Sequence, residues 1–225
     1  MDACSHGTDC YSFVQKSDVQ PYFDIATNYS FANYMFQTNE GSSFEAHQFI
    51  FSGTSAPVGT LGQSNFHDWF ALDNPILSFS NNTGCSSNDP NELGYVDGVK
   101  FDGSTKSGSP SDAWYLPAPL PYSYPCYEHK TLSDLLDGIS WKYYAPEEGS
   151  IWSAPTAISH VCGAVDQHPC PNFQLGGSYA NKVIFEATSA TTAPIFIDIA
   201  SCKLAAVSWV IPDFKWSDHP DGNDG

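Results

Sequence analysis

The run Gly41-Ser42-Ser43-Phe44-Glu45-Ala46-His47 places a hydroxyl just past a glycine turn, at the head of an apolar segment that continues to Phe51. The start of a helix offers free N–H groups and the positive end of its dipole, both of which favour an anionic oxygen. Ser43 is therefore well placed for chemistry, although a serine there is also an ordinary N-cap. A second set of chemistry-bearing residues, Pro212-Asp213-Phe214-Lys215-Trp216-Ser217-Asp218-His219, follows an apolar strand-like run. In α/β sheets ligands sit beyond the carboxyl ends of strands, which is where this run would fall.

The elements that must position these groups are legible in part. Asp18 can cap a helix with Pro21 in its first turn, and Tyr22, Ile25, Tyr29, Ala32 and Phe36 keep the helical period. A second helix is expected over 43–51, closed by Ser52-Gly53. Residues 57–125 carry little periodic signal beyond a short strand-like run at 76–79, and read as a loop-rich insertion or substrate entrance. Thr131 to Asp137 forms a short amphipathic helix ended by Gly138, and 139–144 reads as an aromatic-rich strand. A short helix is expected over 155–160, a Gly/Pro/Asn loop over 163–180, a strand at 183–185, a helix over 193–204 and a strand over 207–211. ISWKYYAP and VSWVIPDF echo each other, each after a short helix, consistent with parallel strands in an α/β sheet.

Bulk properties narrow the function classes. The chain has 225 residues, enough for one sizeable core, and is 41% hydrophobic and 15% aromatic. With 25 acids against 8 bases its formal charge is −17, and no Lys/Arg cluster exists for a phosphate backbone, which argues against nucleic acid as a partner. No apolar run reaches transmembrane length. The seven cysteines form no CxxC pair with matching histidines, so disulfides are the better reading than zinc. Cys4/Cys10 and Cys162/Cys170 are close in sequence, Cys85 and Cys126 bracket the long insertion, and Cys202 is left over. Disulfides and the sequons at Asn28 and Asn81 point to a secreted or periplasmic protein, with no signal peptide at Met1 and both ends reading as cut.

Three blocks in order, ANYMFQTNEGSSFEAHQFIFSGTSAP (32–57), CYEHKTLSDLLDGISWKYYAP (126–146) and AVSWVIPDFKWSDHP (206–220), resemble the phosphoesterase family of acid phosphatases and phospholipases C, within the alkaline phosphatase-like superfamily. The resemblance implies a single, incomplete phosphoesterase domain over 1–225: a partial α/β/α sandwich with a mainly parallel sheet and long disulfide-restrained loops. It implies a metal-assisted hydrolase of phosphate esters or phospholipids, with Ser43 as nucleophile and metal ligand. Glu45 and Ala46 depart from the family's proline and asparagine. His219 is assigned to the phosphoryl group or leaving oxygen, Asp213 to the metal, and Asp218, His47 and His129 to substrate. On position alone His129 and His160 read as surface or capping residues.

The family's Glu-Asn-Arg type motif has no counterpart before Cys4, and its Trp-Asp-Asp type motif would lie beyond Gly225. Most ligands of the divalent metal are thus expected outside this chain, a central strand would be missing, and the 225-residue piece would have little activity alone. Two other readings fit less of the sequence. A serine hydrolase using Ser43 or Ser52 with a histidine lacks the G-x-S-x-G elbow. A non-catalytic binding domain with an aromatic surface for carbohydrate or lipid relies on rings that are more often core.

Overall fold

A computed structural model describes residues 15–37, 43–55, 69–71, 84–86, 98–100, 126–163, 169–185 and 192–217. The chain divides into two units, Met1–Gln37 and Thr38–Gly225. In the first, helix α1 spans Gln20–Asn28, with Val19 at the cap position and Pro21 in the first turn. The expected helix to Phe36 stops eight residues early. None of its residues is buried, so no packed face carries the helix past Asn28.

In the second unit, helix α2 (Ser43–Ser52) forms where the apolar period predicts it. Gly53, at φ 70°, ends it, and its N–H reaches the Phe49 carbonyl at 2.9 Å. Strands β1 (Trp69–Ala71) and β2 (Gly98–Lys100) pair antiparallel inside the segment read as loop-rich. The strand expected at 76–79 lies outside the described residues. The helix expected over 131–137 is a single 3₁₀ turn, Leu132–Leu135, opened by a capping box between Thr131 and Asp134. The helix expected over 155–160 is split at Ile158 into a 3₁₀ turn, Ala154–Ala157, and the one-turn helix α3, Ser159–Cys162. Ile158 instead bridges Tyr127 in parallel, with Tyr127 N–H on Ala157 at 2.6 Å and Ser159 N–H on Tyr127 at 2.8 Å.

Three parallel strands form the main sheet in the order β4 (Val183–Phe185), β3 (Trp141–Ala145), β5 (Val207–Val210). Tyr143 pairs with Val183 on one side and Trp209 on the other. The parallel α/β sheet expected from the echoed segments is thus present, with β3 at its centre. Its two faces are both covered, as side-chain alternation along β3 requires. Trp141, Tyr143 and Ala145 join the larger core with Phe44 and Phe51 of α2, whereas Tyr144 joins Ala193 and Ile195 on the other face. Helix α4, Pro194–Ala200, begins with that proline and is shorter than the expected 193–204. It ends at Ser201, and Cys202 follows in the left-handed region at φ 54°.

Two disulfides tie the edges of this core, Cys85–Cys126 and Cys162–Cys170, as the spacing predicts, and Cys202 is free and exposed. Cys4 and Cys10 lie outside the described residues. Gly84, at φ 82°, packs against the 3₁₀ turn 154–157 so closely that a Cβ would lie 2.8 Å from the Thr156 carbonyl oxygen. Among the described residues no helix is long and apolar enough to cross a membrane.

Candidate functional site

Ser43 is the first residue of α2 and is half-buried. The helix it opens is pinned from within: Phe51 is fully buried and meets the rings of Tyr143 at 5.5 Å and Trp209 at 5.3 Å. At the other end Phe44 packs on Tyr127 at 6.0 Å. Glu45, the departure from the family's proline, would repel a phosphate if it shared a face with Ser43. Residues two apart on a helix point to opposite sides, and Glu45 is 1% exposed. Its charge reaches Tyr127, whose phenol is pushed far up, first by burial and then by this carboxylate. The acid is folded into the core within the first turn of α2.

His47 lies one turn beyond Ser43. Its Nδ1 is buried without a hydrogen-bond partner, and burial pushes the imidazole down to about 4, so it is neutral at neutral pH. His129 is 9% exposed with both ring nitrogens buried and unpartnered. It is also held at about 4, by burial above all, with Glu128 and Asp134 pulling up and His160 pushing down. Its ring lies 6.1 Å from that of Tyr127, which in turn touches Phe44. The structure thus brings the head of α2 and the His129 segment together through Tyr127.

Asp213 follows β5, half-buried, with the Lys215 N–H at 3.4 Å from its Oδ1. Glu147, just past β3, is pushed up by burial and then by the charge of Asp213, so the carboxyl ends of these two parallel strands hold carboxylates within electrostatic reach. Asp218 and His219 lie outside the described residues. Among the described residues no group of three His, Cys, Asp or Glu could hold a metal ion. Ser43 and Asp213 alone do not make the oxygen-rich shell that a hard divalent cation requires. Ser52, the alternative nucleophile, has a buried hydroxyl with no partner and so no histidine to activate it.

Sequence reasoning passed over one polar network entirely. The His160 imidazole sits between two carboxylates, with Nδ1 2.7 Å from Glu128 and Nε2 3.2 Å from Asp134. Glu128 also accepts from the Ser159 hydroxyl and from the His160 N–H at 3.1 Å. Asp134 accepts from Thr131, N–H at 2.7 Å and hydroxyl at 3.0 Å. The Thr-x-x-Asp capping spacing was readable; the long-range partner was not.

The sequence model of the Phosphoesterase family matches residues 5–224. The chain belongs to the phosphoesterase family. No curated protein and no solved structure matches it. Membership carries phosphoric ester hydrolysis as the general chemistry, on small phosphate esters, and phosphoesterases generally depend on metal. The described residues of this phosphoesterase do not fit a complete metal centre, and no step is derived through one.

Proposed function

We propose that this phosphoesterase is a secreted or periplasmic hydrolase of the acid phosphatase or phospholipase C type, with Ser43 as its nucleophile. The Ser43 hydroxyl gives its proton to solvent as its oxygen attacks phosphorus in line with the leaving oxygen, and the P–O bond to the leaving group breaks as a phosphoseryl bond forms. His219 protonates the leaving oxygen. Water then cleaves the phosphoseryl bond, releasing phosphate and restoring the hydroxyl. His47, His129 and Asp218 contact the substrate. The neutral state of His47 and His129 suits hydrogen bonding to phosphoryl oxygens without a fixed charge. A divalent metal, with Asp213 and Ser43 among its ligands, would supply charge neutralisation; its remaining ligands come from outside the described residues.

The observation that carries this reading is Ser43 at the first position of a ten-residue helix anchored in the core, inside a family match that spans the chain. The test is hydrolysis of p-nitrophenyl phosphate and of phosphatidylcholine with added divalent metal. Ser43→Ala should lower kcat by on the order of 10⁴-fold or more, as loss of a nucleophile does elsewhere. An unchanged rate in that variant would remove Ser43 from the mechanism.

A further inference from the structure

We propose that His160 is a positioning residue of the hydrolase site: its imidazole clasps Glu128 and Asp134, the carboxylates on either side of His129 in sequence, and so fixes the segment that presents His129. The proposal rests on the reading in which His129 contacts substrate. It starts from an oddity of His129, which is 9% exposed and has hydrogen-bond partners at neither ring nitrogen. A buried imidazole with no internal partner is not held by its own bonds, so its placement depends on its backbone.

That backbone is fastened at both ends. Upstream, Tyr127 is bonded to Ala157 and Ser159, and Glu128 accepts from Ser159 and from the His160 N–H. Downstream, Asp134 closes the capping box on Thr131. Among the described residues the two fastenings meet at the His160 ring, 2.7 Å from Glu128 and 3.2 Å from Asp134. Both neighbours of the ring are acceptors, so a protonated ring donates to both, whereas a neutral ring has one N–H and can hold only one. His160 is itself held, because Asn172 donates to its carbonyl at 3.0 Å and Cys162–Cys170 closes the next turn.

The titratable groups facing His160 are Glu128, Asp134 and, electrostatically, His129. Those facing His129 are the same two carboxylates and His160, with Tyr127 beside its ring. Asp134 also acts on Tyr179, whose phenol it helps push up after burial. Removing the His160 ring would take away its repulsion of His129, leave the pull of Glu128 and Asp134 and loosen the buried segment. These effects move His129 toward easier protonation.

The experiment follows the ring nitrogens of His129 by ¹⁵N NMR across pH in this chain, in His160→Ala and in His160→Arg, whose planar fork can again serve two carboxylates. Circular dichroism confirms that each variant is folded, and His160→Gln replaces any variant that is not. The same variants and His129→Asn are assayed for kcat/KM on p-nitrophenyl phosphate with added divalent metal. The expected result is a His129 titration that moves up toward 6.5 in His160→Ala, with kcat/KM down about 100-fold as for other misplaced site residues, and both restored by His160→Arg. An unmoved His129 titration in folded His160→Ala would overturn the positioning role while leaving the substrate role of His129 standing. An unchanged kcat/KM in His129→Asn would instead overturn the substrate role, and the positioning role with it.

Discussion

Two histidines from different elements share one physical state. His47 lies in the helix that Ser43 opens and His129 on a loop, yet burial holds both near 4. The folded protein therefore disfavours their protonation, while the unfolded chain takes up protons near 6.5. Between these values the unfolded state binds more protons, so each histidine weakens the fold as pH falls from about 6.5 toward 4, by about 3 kcal/mol each as an upper bound. Glu128 and Asp134 add a second, more acidic loss. Burial pushes both carboxyls up, but hydrogen bonds from Ser159, Thr131 and His160 outweigh it and hold them below their ordinary values. The stability they contribute is present above those values and disappears as pH falls through the folded ones. A melting-temperature series from pH 7 to 3 should fall in two stages, and His47→Leu should flatten the upper stage. A flat profile down to pH 4.5 in the unaltered protein would contradict the burial of both rings.

At the scale of elements, α2 is the support on which the proposed site depends, and Phe51 is its anchor. Its ring meets those of Trp141, Tyr143 and Trp209, and the Trp209 indole N–H donates to Ile50 at 3.2 Å. Phe51→Ala should cost about 3–5 kcal/mol, read as a lowered urea midpoint. Helix α2 was legible because its buried residues, Phe44, Glu45, Gln48 and Phe51, follow a single period that ends in a glycine able to adopt positive φ. Strands β3, β4 and β5 were legible for a related reason: each is a short aromatic or β-branched run bounded by turn residues. Segment 155–160 was misread because helical propensity there competes with a long-range partner. The Tyr127–Ile158 bridge takes the backbone of Ile158 away from a continuous helix, and nothing within six residues signals it. The same holds for the candidate site. Ser43 could be singled out from its own neighbours, whereas the meeting of Glu128, Asp134 and His160 exists only once Tyr127 has joined Ile158. His160, read in sequence as a surface or capping residue, is consequently placed by the fold between two carboxylates.

Among the described residues of the second unit secondary structure is thin: three short parallel strands, one antiparallel pair of three-residue strands, two helices of ten and seven residues, and one-turn elements. Cross-links must then carry more of the stability than in a domain with a broad sheet. The two disulfides do so unequally, because the loops they close differ. Cys85–Cys126 spans 41 residues and Cys162–Cys170 spans 8. The chain-entropy relation assigns about 4 kcal/mol to the first and about 2.5 kcal/mol to the second. Position widens the gap. Cys85 is buried beside Gly84, which sits against Thr156, and Cys126 begins the segment that carries Tyr127 and His129. Opening that bridge frees the loop and slackens the strand-like pairing that seats His129 next to α2. Replacing both Cys85 and Cys126 by alanine should therefore lower the melting temperature by about 10 °C and shift the His129 titration upward as well. The Cys162/Cys170 pair should lower stability less and act on His129 only through His160. Calorimetry and histidine NMR on the two double variants separate these outcomes. Equal losses of stability, with His129 unmoved in both, would mean that the bridges hold the ends of loops and not the site.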